Sequence, residues 1–131
     1  HDVQMLPNGN ILLFVNGAHA PKTRGSTVVE FNKDSDEVIW EYKGRPLHTF
    51  NSTFISGAQR LDSGNTLICE GQWGRIFEVT EAGNIVWEYI SPHFASADDP
   101  SPTAGTNAVF RAYRYAPDSP EINGRLDDYT I

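Results

Sequence analysis

Four histidines, His1, His19, His48 and His93, are the residues of this sequence best suited to nucleophilic, acid–base or metal-binding chemistry near neutral pH. Lys22, Arg24, Arg45 and Arg75 are cations that, with Trp73, fall in or beside the same set of connections as the histidines. Such cations could neutralise an anionic ligand through charge-assisted hydrogen bonds. No two histidines are spaced i, i+2 or i, i+4, and Cys69 is the single cysteine, so neither a compact zinc motif nor a disulfide framework is expected. Asp98-Asp99 and Asp127-Asp128 lack the spaced oxygen ligands of a calcium loop and read as solvated charge. Asn51-Ser52-Thr53 is a glycosylation sequon, meaningful only in a secreted eukaryotic protein. No metal and no cofactor is expected.

The elements that must position these residues are short strands. The chain has 131 residues, 39% hydrophobic and 11% aromatic, which suits one globular domain. A net charge of −7 gives no general attraction to phosphate backbones or anionic membranes, so nucleic acid is not an expected partner. No apolar run approaches the roughly 18 residues of a transmembrane segment. Turn signals at 7–10, 33–36, 62–65 and 81–84 separate runs rich in β-branched and aromatic residues. These predict strands over about 2–6, 11–15, 26–32 and 37–43, then 56–61, 66–70, 75–80 and 84–90, with a last one near 108–115. Val38, Trp40 and Tyr42 alternate onto one face, as do Ile85, Trp87 and Tyr89. The fold class is all-β.

The two sets of four strands are copies. Gln4-Met5-Leu6-Pro7-Asn8-Gly9-Asn10 aligns with Gln59-Arg60-Leu61-Asp62-Ser63-Gly64-Asn65 at an offset of 55. Val29-Glu30-Phe31 aligns with Phe77-Glu78-Val79, and Trp40-Glu41-Tyr42 with Trp87-Glu88-Tyr89, at offsets of 48 and 47. The first copy therefore carries extra residues in the loop 17–25. Recurrence of Glu30 as Glu78 points to a structural hydrogen bond rather than catalysis. A four-stranded unit repeating every 40–50 residues is the signature of a β-propeller blade. The expected organisation is a first antiparallel blade over about 1–43, a second over about 56–90, a closing strand over about 108–115 that pairs with another blade, and a tail over 116–131.

Two blades cannot close a ring, since propellers use four to eight. The chain is expected to be a segment of a longer propeller, as its start at the lip of a strand suggests, or a module that assembles with identical chains. Three copies would make six blades. Strands that alternate up and down place the four tight turns on one rim. The connections 16–25, 44–55, 71–74 and 91–107 fall on the other, with His1 opening a strand there. All four histidines thus gather on one face, and His19, His48, Trp73 and Arg75 become candidate ligand-binding residues.

The segment from His1-Asp2 through Leu6-Pro7-Asn8-Gly9-Asn10 to Phe14-Val15-Asn16-Gly17 resembles the His-Asp, Leu-Pro-x-Gly-Asn and Phe-x-Asn-Gly pattern of arylsulfotransferase-type propellers. Ser26–Phe31, Val38–Tyr42, Gly57–Gly71, Gly74–Val79, Val86–Tyr89 and the closing Val109-Phe110-Arg111-Ala112-Tyr113-Arg114-Tyr115 are similar to later stretches of that family. The resemblance covers about residues 1–115. It implies a six-bladed propeller in the periplasm or outside the cell. It implies sulfuryl transfer between phenolic compounds, without an adenosine-based donor, through a sulfated histidine. Carried over position by position, His1 and Arg24 become sulfate-contacting catalytic residues, while the nucleophilic histidine has no match, because Ser56-Gly57 stands where a second His1 would be. The partners implied are a small phenolic or sulfated molecule and the remaining blades, in the same chain or in identical chains. The alternative is a propeller that keeps the scaffold for binding or assembly without the chemistry.

Overall fold

The computed structural model describes residues 1–17 and 25–125. Eight strands form where the turn signals and alternation place them. They are β1 (Gln4–Met5), β2 (Ile11–Val15), β3 (Thr27–Phe31), β4 (Val38–Lys43), β5 (Gly57–Arg60), β6 (Thr66–Glu70), β7 (Arg75–Val79) and β8 (Ile85–Ile90). They make two four-stranded antiparallel sheets, ordered β1-β2-β3-β4 and β5-β6-β7-β8. Short 3-10 turns at Leu47–Thr49 and Gly71–Trp73 are the helical elements assigned among the described residues.

The repeat read from the sequence is a repeat in space. Leu12 pairs with Glu30, and Leu67 pairs with Glu78. Each sheet shifts register between its third and fourth strands at the same place, at Glu30/Phe31 and at Glu78/Val79. The first turns also match: Leu6 N donates to Asn10 O and Leu61 N to Asn65 O, at 2.8 and 2.9 Å. Gly9 and Gly64 take φ of 84° and 86° there, a left-handed conformation glycine adopts without steric cost.

One face of the first sheet packs on one face of the second. Leu12, Phe14, Val28 and Tyr42 meet Ala58, Ile68, Phe77 and Val79. Phe50, from the connection between the sheets, sits fully buried at the centre, its ring centroid 5.3–5.7 Å from those of Phe14, Tyr42 and Phe77. Edge-to-face contacts of this kind suit the aromatic quadrupole. Truncating such a residue to Ala typically costs about 3–5 kcal/mol.

Two expectations need correction. The first strand is shorter than 2–6, because Asp2 turns to a φ of 55° and breaks the extended run. Residues 108–115 carry no strand. They cross the face of the second sheet that points away from the first. Val109 N donates to Gly71 O (2.9 Å), and Phe110 O accepts from Ser56 N (3.0 Å). Beyond that point the Gln59 side chain replaces a backbone partner. Its amide nitrogen donates to Arg114 O (2.9 Å) and its oxygen accepts from Arg114 N (2.7 Å). A side chain standing between two backbones holds them too far apart for a ladder.

Candidate functional site

His1 runs beside β2, where its backbone nitrogen donates to Phe14 O (2.7 Å) and its oxygen accepts from Phe14 N (3.1 Å). That pairing lies beyond the break at Asp2, one residue out of the β1–β2 register, and brings the imidazole against Asn16, whose Oδ1 bonds His1 Nδ1. The Asn16 amide has only one orientation that satisfies its neighbours. Its Nδ2 donates to two backbone carbonyls, Ser52 O at 2.9 Å and Ile55 O at 3.0 Å. Oδ1 is therefore an acceptor, and Nδ1 of His1 must carry the proton. The neutral ring then has its lone pair on Nε2, which no described residue engages. His1 is exposed.

The backbone here is unusual. Ile55 and Ser56 take φ of 51° and 85°, beside Asp2 at 55°. Left-handed conformations of non-glycine residues cost about 1–3 kcal/mol each and collect at functional sites. Ile55 is β-branched, the type least suited to it. Its carbonyl is one of the two that fix Asn16.

Next to His1, the Asp2 carboxylate is nearly buried, its side chain 6% exposed. It accepts from Tyr113 Oη at 2.6 Å and pairs with Arg111 Nη1 at 3.3 Å. The Tyr113 phenol titrates above its ordinary value, chiefly because its hydrogen bond to Asp2 holds the proton. Gly57 makes this arrangement fit, since a Cβ there would overlap the Asp2 carboxylate. In the same way a Cβ on Gly71 would overlap Val109 O and push residues 108–115 off the sheet. Arg111 and Tyr113 arrive from a sequence distance of 109 and 111 residues, and sequence reading alone did not place them here. The alternation in Phe110–Tyr115 was the available signal, because it put both on one side.

The remaining sequence-predicted residues are spread out. His19 and Arg24 lie outside the described residues. His48 is exposed on the Leu47–Thr49 turn, and His93 is exposed beyond β8. Trp73 is exposed, and its indole N–H donates to Asn51 O at 2.7 Å, which ties two connections together. Arg75 is occupied: it pairs with Glu70 (3.1 Å) and Glu88 (2.5 Å) and lies 4.2 Å from the Phe77 ring centroid. It lines an outer groove with Tyr42, Lys43, Leu47 and Thr49, not the surroundings of His1. Glu70 beside it titrates high because burial outweighs its bonds from Asn51 N and Arg75. Among the described residues, no group of three or more His, Cys, Asp or Glu side chains is arranged to hold a metal ion. No described helix is long and apolar enough to cross a membrane.

The recurring Glu residues are structural: one ties the first sheet to the second, the other ties the second sheet to the segment that crosses it. Glu30 Oε1 accepts from Asn8 (3.1 Å) and Asn10 (2.7 Å), while Oε2 pairs with Arg60 of β5 at 2.7 Å. Arg60 also lies over Trp40, 4.8 Å from its centroid. In the second sheet, Glu78 accepts from Asn65 (2.6 Å) and pairs with Arg114. Arg114 lies 4.9 Å from the Trp87 centroid.

No protein-family model matches the chain. No curated protein matches it either. A solved structure similar to it is the crystal structure of a protein of unknown function from Bacteroides caccae, at 17% identity and a TM-score of 0.49. The match covers 69% of this chain and 30% of that protein, so the chain spans less than a third of its length.

Proposed function

We propose that the two sheets are successive blades of a β-propeller of the arylsulfotransferase kind, six-bladed when complete. In this reading His1 contacts a sulfuryl group passing between phenolic compounds. The observation that carries the reading is the tautomer of His1. Asn16 is pinned by two carbonyls and fixes the Nδ1 proton, so Nε2 presents a lone pair in a set direction. A neutral imidazole oriented this way can take a proton or attack an electrophile. Once protonated, it donates to a sulfuryl oxygen and offsets developing negative charge. Arg24 is the second sulfate contact that the family resemblance suggests.

The test uses 4-nitrophenyl sulfate as donor and phenol as acceptor. The expected result is saturable binding of the sulfate ester to this chain that His1→Phe weakens while thermal stability is kept, and, in the complete propeller, acceptor-dependent release of 4-nitrophenolate that the same substitution lowers. No release, together with no saturable binding of the sulfate ester, would overturn the proposal. A second reading, a scaffold that binds without chemistry, is favoured by one observation. Ser56, in the place of a second His1, turns its hydroxyl inward to Ser52 Oγ (2.8 Å) and Gly71 N (2.9 Å).

A further inference from the structure

The outer groove between the two sheets has a volume of about 800 Å³, within the roughly 300–1,000 Å³ of small-molecule sites. One wall is β4 and the connection that follows it; the other is Arg75 with the β7–β8 turn and Ile85. Both walls belong to this chain. Tyr42 lines the groove while its ring packs on Phe50 and Phe77, with centroids 5.3 and 5.6 Å away. A Cβ on Gly83 would lie 3.8 Å from that ring, so the turn passes close beside it. Tyr42 is only 8% exposed, yet its hydroxyl bonds no described residue. Burial holds the phenol above its ordinary value, so at neutral pH the hydroxyl keeps its proton and is a donor without a described acceptor.

Three cations border the groove, and two are already paired. Lys43 meets Glu41 at 2.7 Å, and Arg75 meets Glu70 and Glu88. Arg45, exposed just past the end of β4, has no carboxylate partner among the described residues. The charges of Arg75 and Arg45 reach the Tyr42 hydroxyl, and those of Glu70 and Glu88 oppose them. A phenol donor and an unpaired guanidinium, in otherwise balanced surroundings, suit one oxyanion of single charge. Trp40 stands two residues before Tyr42 on the same face of β4, roughly 7 Å along the strand. Its indole N–H is taken by Glu81 O, so Trp40 and Ile85 offer apolar surface there. Glu81 borders that end and repels an anion, which leaves the charge to the Arg45 end. We propose that the groove binds a small arylalkyl carboxylate. Its carboxylate accepts from Tyr42 Oη and Arg45, and its ring lies against Trp40 and Ile85. The inference rests on no chemistry at His1 and on no further blade.

Phenylacetate titrated into the 131-residue chain should shift the amide signals of Gly44, Arg45, Asn84 and Ile85 to saturation. Phenylacetamide keeps the ring and loses the charge. It should bind about tenfold more weakly, the worth of a hydrogen bond to a charged group. Arg45→Ala should weaken phenylacetate by a similar factor. Tyr42→Phe should weaken it severalfold without lowering the melting temperature, because the hydroxyl serves no other described residue. A lower melting temperature in Tyr42→Phe would show that the hydroxyl holds the fold, and would overturn the proposal. So would the absence of saturable shifts, or equal binding of the two probes. Phenylacetate binding lost in His1→Phe but kept in Arg45→Ala would place the anion at His1 and reject this site as well. Failure of sulfate-ester transfer at His1 changes none of the shifts at Gly44, Arg45, Asn84 and Ile85, so the two proposals fail separately.

Discussion

Arg60 Nη2 lies 2.7 Å from Glu30 Oε2, tying the first strand of the second sheet to the third strand of the first. The Glu30 side chain is 7% exposed, so the pair is largely removed from water. Its value lies less in attraction than in what its loss would leave behind, an unpaired buried carboxylate.

Arg60→Ala should therefore destabilise the chain by about 3 kcal/mol, the low end for a broken buried pair, because Asn8 and Asn10 still serve Glu30. Arg114→Ala removes the same contact from a side chain that is 39% exposed, and should cost about 1 kcal/mol or less. Urea denaturation of the two variants checks the difference. Equal losses would mean that the far-face pair is as well shielded as the inner one.

Trp40→Ala should cost about 3–5 kcal/mol, since the residue packs against the core and its indole N–H is bonded. Trp87→Ala should cost about 1 kcal/mol or less, mostly its contact with Arg114. The sequence repeat alone predicts equal packing roles. The structure separates them, because among the described residues a sheet packs against Trp40 and none against Trp87. Thermal denaturation of both variants is the measurement.

The Nδ1 proton of His1 is directly observable. Long-range proton–nitrogen spectra of the neutral ring should show Nδ1 protonated and Nε2 bare. Asn16→Ala should release the ring to the tautomer mixture of a free imidazole. It should also cost about 1–3 kcal/mol, because the carbonyls of Ser52 and Ile55 lose their donor. A spectrum with Nε2 protonated in the parent chain would contradict the geometry.

Cys69 is buried, and desolvation pushes its thiol up to about 12 from an ordinary value of 9.0. The folded chain thus holds this proton more tightly than the unfolded chain. Stability is full below about pH 9 and falls as pH rises toward about 12, by about 1.4 kcal/mol per unit for one proton. Tyr42 and Tyr113 are also raised and add to the loss above about pH 10. Cys69→Ala should flatten the alkaline slope. Iodoacetamide should leave the native thiol unmodified at pH 8 and react after unfolding.

Strands, turns and the doubling of the unit were legible in the sequence because they are local. Alternation of period two, Asn-Gly turns and matched Glu and Trp positions need only neighbouring residues to be read. The structural role of Glu30 and Glu78 followed from their recurrence. Tertiary structure alone decided the rest. The partner of each Glu is an Arg 30 or 36 residues further along the chain, Arg60 of β5 for Glu30 and Arg114 of the segment crossing the second sheet for Glu78. Asp2 meets Tyr113 across 111 residues, through a gap that exists only because Gly57 lacks a side chain. The alternation in 108–115 announced a strand. The Gln59 side chain, set between that segment and β5, keeps it from being one. Which nitrogen of His1 is free depends on two carbonyls 36 and 39 residues beyond Asn16, and such contacts leave no period in the sequence.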